Sequence, residues 1–227
     1  MIKSQLKGST KMEIDSQLAT EFLTHGIPKD ITREALERIY PGAMNHIREC
    51  LKIIGDNPDR EGLKDTPYRV VKSWLELYAG YKTNPILDTS FAEDIGDRDD
   101  SQIVMCKDIK FYSTCEHHMI PFHGICHIGY LPNKKVIGVS KLARIVEYYA
   151  RRLQIQEKLC SQIADTIDKI VEPQGCGVII DAQHMCMTAR GIKNQNANMV
   201  TSQMRGKFRT QPQTRMEFMN LVSMKFS

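Results

Sequence analysis

Apolar side chains recur every three or four positions in the first part of the chain, and this spacing predicts amphipathic helices. Two such helices follow one another from Asp30, and the second ends at Gly55. A third is predicted to begin at Asp65, a capping residue that precedes a threonine and a proline, and to end at Gly80. We therefore expect an N-terminal helical region.

Polar segments border this helical region on both sides. Residues 1–29 lack a regular apolar spacing, and we expect a mobile tail there. Residues 93–100 are acidic and also lack periodicity, which indicates a solvated loop. The chain is thus predicted to comprise a tail (1–29), a helical region with its linker (30–100) and a second folded domain (101–227).

After residue 101 the apolar spacing changes from one segment to the next, which predicts strands as well as helices. The predicted order is a strand over 102–113, a strand over 124–131, helices over 140–151 and 154–171, a strand over 176–182 and a strand near 197–203. This order favours an α+β fold in which an antiparallel sheet carries two helices on one face. Such a small sheet has open edges, which a homo-oligomer would protect by joining copies edge to edge.

The composition is typical of a folded protein outside the membrane. Hydrophobic residues make up 41% of the 227 residues, and 31 Lys and Arg against 27 Asp and Glu give a net charge of +4. That charge is too small to indicate a nucleic-acid partner. No run reaches the roughly 18 apolar residues that cross a bilayer, and the first residues contain no apolar signal segment. We therefore expect a cytoplasmic protein with no nucleic-acid or membrane partner.

The chain contains seven cysteines, so they cannot all form pairs, and the protein is expected in the cytoplasm. This count argues against a disulfide framework and for reduced thiols, some of which could bind metal. No two cysteines are spaced as C-x-x-C, which excludes the usual structural zinc knuckle and the dithiol redox motif. Glycine-rich phosphate loops and the serine-hydrolase elbow are also missing from the sequence.

Candidate metal ligands lie close to the ends of two predicted strands. Cys115 and His118 follow the first strand of the second domain, and Cys186 follows the third. Together they form a Cys₂His set with a fourth position open to water, which is the pattern of a catalytic zinc site. The alternative, that they are buried thiols and hydrogen-bonded core histidines, stays open at this point.

A second group of candidates lies at the start of the first helix of this domain. If Ser140 caps that helix, Lys141 and Arg144 share one face of its first turns, where free N–H groups and the helix dipole also attract anions. This pattern fits a phosphate site, and it also fits a solvated basic face. Arg190 and Arg69 could extend such a site.

Gln156 and Glu157 begin the next predicted helix. A carboxylate there could accept hydrogen bonds from adjacent N–H donors, such as N1–H and the exocyclic amine of guanine. It could equally do no more than complement the helix dipole.

With these residues assembled, the chain resembles the GTP cyclohydrolase I family from about residue 43 to the C-terminus. The matching blocks are STCEHH (113–118), PFHG (121–124), HIGYLPN (127–133), GVSKLARIVEYYARRLQIQEKL (138–159) and DAQHMCMTARGI (181–192). They occur in the family's order and at its spacing. The resemblance implies zinc-dependent hydrolysis of GTP to 7,8-dihydroneopterin triphosphate and formate, the first step of pterin and tetrahydrofolate biosynthesis.

The resemblance also implies roles for the residues of the candidate site. It makes Cys115, His118 and Cys186 the zinc ligands. His117 and His184 become the proton-transfer residues, with His184 protonating N7 of the guanine while water held by zinc attacks C8.

For the substrate, the resemblance implies that Glu157, helped by Gln156, anchors the guanine. The residues implied at the ribose and triphosphate end are Ser140, Lys141, Arg144 and Arg190. Ser140 is also the implied acid for opening the ribose ring, and Arg69 would reach the site of a neighbouring subunit. The implied fold is the tunnelling fold over residues 101–227, assembled as a homodecamer with sites at subunit interfaces.

Two alternatives to a zinc hydrolase are a related pterin or deazapurine enzyme and a non-catalytic nucleotide- or metal-binding relative on the same scaffold. Enzymes of the first kind lack the combined CEHH and HMC blocks. A pure binder needs only the metal ligands, whereas both histidines implied in proton transfer are present here.

Overall fold

The computed structural model describes residues 31–82, 93–94 and 102–224. The predicted tail, most of the acidic loop and the domain boundaries predicted near residues 29 and 100 lie outside these ranges. The chain divides into two units, one ending at Glu76 and the other beginning at Leu77. Over the described ranges, no helix is long and apolar enough to span a membrane.

The N-terminal unit is helical, as predicted. Its helices are α1 (Arg33–Ile39), α2 (Ala43–Ile53) and α3 (Thr66–Leu77). Thr32 caps α1 by accepting a hydrogen bond from the Ala35 N–H at 3.2 Å. Leu36 and Ile39 pack with Val71 of α3 in a small apolar core, so the apolar spacing of these helices marks the residues that they bury.

The second unit is built on a five-stranded sheet. Its strands are β2 (Val104–Cys115), β3 (Pro121–Leu131), β5 (Leu153–Gln154), β6 (Gly175–His184) and β7 (Met199–Gly206), and a separate ladder joins β1 (Glu93–Asp94) to β4 (Lys135–Val136). The order across the sheet is β5-β2-β3-β6-β7. All neighbouring pairs are antiparallel except the two-residue β5, which runs parallel to β2. The predicted α+β class is therefore confirmed.

Two long helices cover one face of this sheet, as predicted. They are α4 (Val139–Ala150) and α5 (Gln156–Val171). Their apolar stripes, which include Leu142 and Ile163, belong to the same buried cluster as Ile128 of β3 and Ile180 of β6. Cys115 also belongs to this cluster, so the main core and one candidate metal ligand share a face of the sheet.

The opposite face carries two C-terminal helices that follow β7 and that the apolar spacing did not predict. A short helix α6 (Met185–Thr188) follows β6, and α7 (Lys207–Thr210) and α8 (Pro212–Ser223) follow β7. Phe208 and Phe218 are fully buried in a cluster with Leu131 and Ile179. Because Phe208 and Phe218 are the fully buried side chains of α7 and α8, the C-terminal sequence shows no regular apolar stripe.

Two glycines of the sheet make room for the Phe208 and Phe218 rings. Gly129 of β3 and Gly177 of β6 are cross-strand partners. A Cβ atom on Gly129 would lie 2.7 Å from the Phe218 ring, and one on Gly177 would lie 2.8 Å from it. The backbone of the sheet therefore approaches the ring closely enough to exclude any larger residue at either position.

Replacing Phe218 with alanine is expected to lower the free energy of unfolding by about 3–5 kcal/mol, because a fully buried ring is lost and leaves a cavity. Met219, on the same helix and 47% exposed, provides the matched control. Met219→Ala should change stability by less than about 1 kcal/mol. Chemical denaturation followed by circular dichroism measures both variants, and equal effects would contradict the packing role of Phe218.

Candidate metal centre

A tight turn after β2 brings the first two candidate ligands together. The Cys115 N–H donates to the Ile120 carbonyl at 3.0 Å, and the Met119 N–H donates to the Cys115 carbonyl at 2.9 Å. This turn places the Cys115 Sγ 3.8 Å from His118 Nδ1 and 4.0 Å from His117 Nδ1. Cys115 is buried, whereas both histidine rings are exposed at the mouth of the turn.

The third candidate ligand comes from the other side of β3. Cys186 lies in α6, directly after β6, and β3 lies between β2 and β6 in the sheet. The ligand atoms of Cys115, His118 and Cys186 all lie within 4.8 Å of one another. The three residues predicted to share a metal are therefore adjacent in space.

The separations of these atoms fit a zinc-sized cation. Bonds of about 2.3 Å to sulfur and 2.0 Å to nitrogen in a tetrahedral site separate the ligand atoms by about 3.5–3.8 Å. The Cys115–His118 pair already has that separation. Burial raises the pKa of the Cys186 thiol, and the Cys115 sulfur raises it further because two negative charges at one place repel. A divalent cation between the sulfurs would remove that penalty.

His184 lies beside this group with its ring tightly held. The ring stacks on Phe122, with centroids 4.5 Å apart and planes 3° from parallel. Its Nε2 atom lies 2.8 Å from Oε1 of Gln156. Burial lowers the pKa of His184, and the nearby negative charge of Glu157 acts in the opposite direction. The structure therefore brings His184, Gln156 and Glu157 close together, and their roles at the guanine stay predictions.

Gln156 is almost fully buried, with 1% of its surface exposed. Its Nε2 donates to the carbonyls of Ile180 at 3.1 Å and Met199 at 2.8 Å, and it lies 3.2 Å from Thr201 Oγ1. These contacts tie the first residue of α5 to both β6 and β7. Glu157, the next residue, is exposed.

The start of α4 differs from the expectation in one detail. The helix begins at Val139 and its N-cap is Gly138, so the prediction that Ser140 caps the helix is wrong. Helical backbone begins one residue earlier than predicted, which places Ser140 inside the first turn with its side chain exposed. Lys141 and Arg144 follow on the same turns, and their contact with phosphate stays a prediction.

The two arginines predicted to extend the site lie in different units. Arg190 is exposed just beyond α6, and its positive charge lowers the pKa of Cys186, which places it close to the metal ligands. Arg69 belongs to the N-terminal unit, where it lies 3.8 Å from Asp65. Its role at a neighbouring subunit's site stays a prediction.

Three further cysteines and one further histidine are buried in the fold. Cys126, Cys160 and Cys176 are fully buried, as expected of small apolar side chains. Burial raises the pKa of Cys160 to about 11 and that of Cys176 to about 12. His127 is also buried and accepts the Asp108 N–H at Nδ1.

Sequence reasoning missed Phe122, on which the His184 ring stacks, and Thr201, which contacts the Gln156 amide. Phe122 lies directly opposite His184 in the β3–β6 ladder, and Thr201 lies opposite Ile180 in the β6–β7 ladder. Antiparallel register assigns these partners, and no local sequence motif specifies that register. A correct pairing of β3 with β6 would have identified Phe122.

Comparisons with known proteins agree with the geometry. The profile of the family described as GTP cyclohydrolase I matches residues 43–223. The chain is 53% identical over 178 residues to GTP cyclohydrolase 1 of Wolinella succinogenes, covering 78% of this chain and 93% of that protein. It is 46% identical over 175 residues to GTP cyclohydrolase 1 of Deinococcus radiodurans, covering 77% and 80%. A solved archaeosine synthase QueF-like structure in its apo form aligns with a TM-score of 0.39 and 16% identity, covering 46% of this chain and 93% of that one.

Replacing Cys186 with serine is expected to abolish zinc binding, because a hydroxyl group replaces one of the two thiolate ligands. Cys50→Ser, at an exposed cysteine of α2, is the matched control and should keep about one zinc ion per chain. Metal analysis after dialysis measures both proteins. Full zinc content in the Cys186 variant would contradict the assignment of this ligand.

Proposed function

The chain belongs to the GTP cyclohydrolase I family, and we propose how its residues carry out that family's conversion of GTP to 7,8-dihydroneopterin triphosphate with release of formate. The observation that supports the proposal most strongly is the convergence of Cys115, His118 and Cys186 beside the held ring of His184. Metal ligands and a proton-transfer group thus lie at one place.

The chemistry explains why both kinds of group are needed. C8 of guanine is a poor electrophile, so its hydrolysis requires a strong nucleophile at neutral pH together with protonation of the ring. Two water molecules are consumed in releasing C8 as formate, and no electrons are transferred. The ribose then rearranges, and its carbonyl condenses with the freed amine to close the pterin ring with loss of one water molecule. The product enters folate-type biosynthesis.

In this proposal Cys115, His118 and Cys186 hold zinc. Zinc, when bound, lowers the pKa of a water ligand from 15.7 to about 7 and so supplies the nucleophile. The exposure of His118 and the partial exposure of Cys186 leave one side of the site open to solvent and substrate. A structural zinc site would be closed by a fourth protein ligand.

We assign proton transfer to two histidines. His184 protonates N7 of the guanine, and its held ring keeps the donor in one orientation. His117 lies next to the metal ligand His118, with its Nδ1 4.0 Å from the Cys115 sulfur, and moves protons to and from the attacking water. General acid–base groups of this kind contribute about 10²–10⁴-fold to rate.

The remaining residues bind substrate in this proposal. Glu157 accepts hydrogen bonds from the guanine edge, and its exposed carboxylate close to His184 supports this role. Cationic and hydroxyl side chains hold the ribose and triphosphate, namely Ser140, Lys141, Arg144, Arg190 and, from another subunit, Arg69. Ser140 also acts as the acid that opens the ribose ring, and its exposed position in the first turn of α4 leaves it accessible.

We further propose a homodecamer with sites at subunit interfaces, located in the cytoplasm. Strand β7 forms an edge of the five-stranded sheet, and at the other edge β5 covers only two residues of β2. Edge strands of this length are normally covered in native proteins. All seven cysteines are free, which supports a reducing compartment.

The zinc-loaded protein is expected to release formate from GTP and to give a product that fluoresces as a pterin after oxidation. His184→Ala should keep its zinc but lose turnover by about 10²–10⁴-fold, because the proton donor is removed. His123→Ala, on a histidine outside the proposed site, is the matched control. GTP binding and zinc content without turnover in the unmodified protein would favour the non-catalytic alternative.

Replacing Glu157 with alanine should weaken recognition of guanine, so that KM for GTP rises and discrimination against ATP falls. A site that hydrogen-bonds its substrate loses about 1–3 kcal/mol when one partner is removed. Asp168→Ala, at an exposed carboxylate on the same helix, should leave both quantities unchanged. Competition of ATP against labelled GTP measures discrimination, and an unaltered ratio in the Glu157 variant would refute its role.

A further inference from the structure

The contacts of Gln156 identify which end of its side-chain amide is which. The Nε2 atom lies within 3.1 Å of two backbone carbonyl oxygens, those of Ile180 and Met199. Carbonyl oxygens only accept hydrogen bonds, so the group facing them must be the NH₂ group. The amide oxygen therefore faces His184, and both amide hydrogens are directed at protein acceptors.

This orientation determines the tautomer of His184. The Gln156 oxygen is an acceptor only, and it lies 2.8 Å from the ring Nε2. A hydrogen bond at this distance requires a hydrogen on Nε2. In the neutral ring the lone pair is then on Nδ1, and Nδ1 is the nitrogen left for substrate.

Two contacts together hold the ring. The stack on Phe122 fixes the plane of the imidazole, and the hydrogen bond to Gln156 fixes its rotation within that plane. Gln156 is itself anchored to β6 and β7, so the ring is tied to the sheet rather than to a loop. Proton transfer depends on such orientation, because a small misplacement of the donor is costly.

We propose that Gln156 is a positioning residue that holds His184 with its hydrogen on Nε2, so that His184 exchanges its proton with the substrate through Nδ1. This inference rests on the proposed function. In the step concerned, the Nδ1–H bond of the imidazolium breaks and its electron pair stays on the ring, while the lone pair of guanine N7 forms the new N–H bond. The neutral ring that remains is the tautomer that Gln156 already stabilises.

In this proposal the Gln156 amide makes no direct hydrogen bond to the guanine. Its oxygen and both hydrogens are engaged by protein groups, and its side chain is almost fully buried. A guanine contact by this amide would require breaking one of these bonds and leaving a buried polar group unpaired, which costs about 1–3 kcal/mol. Loss of Gln156 should therefore act on kcat and not on substrate affinity.

Gln156→Met is the main test, because methionine has similar length and no amide. In the zinc-loaded full-length protein, kcat should fall by about 10- to 100-fold while KM for GTP and zinc content stay within about twofold.

Thr201→Val is the matched control: it removes one contact of the same amide and leaves the bond to His184. A rise in KM with unchanged kcat, or an equal loss of kcat in Thr201→Val, would overturn the proposal.

A measurement that does not depend on turnover tests the same point. Nitrogen-15 NMR of histidine-labelled, zinc-loaded protein distinguishes the two neutral tautomers, and the His184 signal is identified by its loss in His184→Ala. The unmodified protein should show hydrogen on Nε2 of His184, and Gln156→Met should lose that signature. Hydrogen on Nδ1 of the neutral ring would refute the proposal even if the variant failed to fold. If the unmodified protein released no formate from GTP, the proposed function would fail, and the NMR result alone would decide whether Gln156 holds the ring.

Discussion

The pairing of β3 with both β2 and β6 brings the candidate metal ligands of the second unit together. Ser113 lies opposite Phe122, and Phe122 lies opposite His184, so one row of residues crosses three strands. The turn that carries Cys115 and His118 begins two residues beyond one end of this row, and Cys186 lies two residues beyond the other. A slip of one residue in either ladder would turn these side chains to the opposite face of the sheet. The metal ligands would then be separated.

The two faces of the sheet show how the protein protects this register. The face under α4 and α5 buries the main core and carries Cys115 at its edge. The other face is closed at one end by Phe208 and Phe218, over the glycine pair of β3 and β6. Because both faces of the β3–β6 ladder are packed, neither strand can slide without exposing apolar surface or forcing a ring against a Cβ atom.

Much of the fold follows from local sequence signals, and the parts that do not are those set by a few long-range contacts. The helices up to residue 171 and the four long strands have regular apolar spacing, which identified them. The C-terminal helices lack such spacing because two buried rings carry most of their packing. The N-cap of α4 was predicted at Ser140, two residues beyond its position at Gly138, because glycine has no side chain to mark a cap. The metal ligands were predictable as a set because cysteine and histidine at strand ends carry recognisable chemistry. The partners of His184 were not, because they depend on strand register and on the reach of one buried amide.

The start of α5 illustrates how one short segment serves two purposes. Successive residues of a helix are rotated by about 100°, so neighbours on the chain face different surroundings. Gln156 is directed into the protein and its amide is fully used by β6, β7 and His184, whereas Glu157 faces outward with a free carboxylate edge. Placing an uncharged amide at the inner position avoids setting a carboxylate against two backbone carbonyls, which would repel it. Placing the charge at the outer position keeps it hydrated. A swap of these two residues would therefore damage the buried position, which requires a donor and an acceptor together.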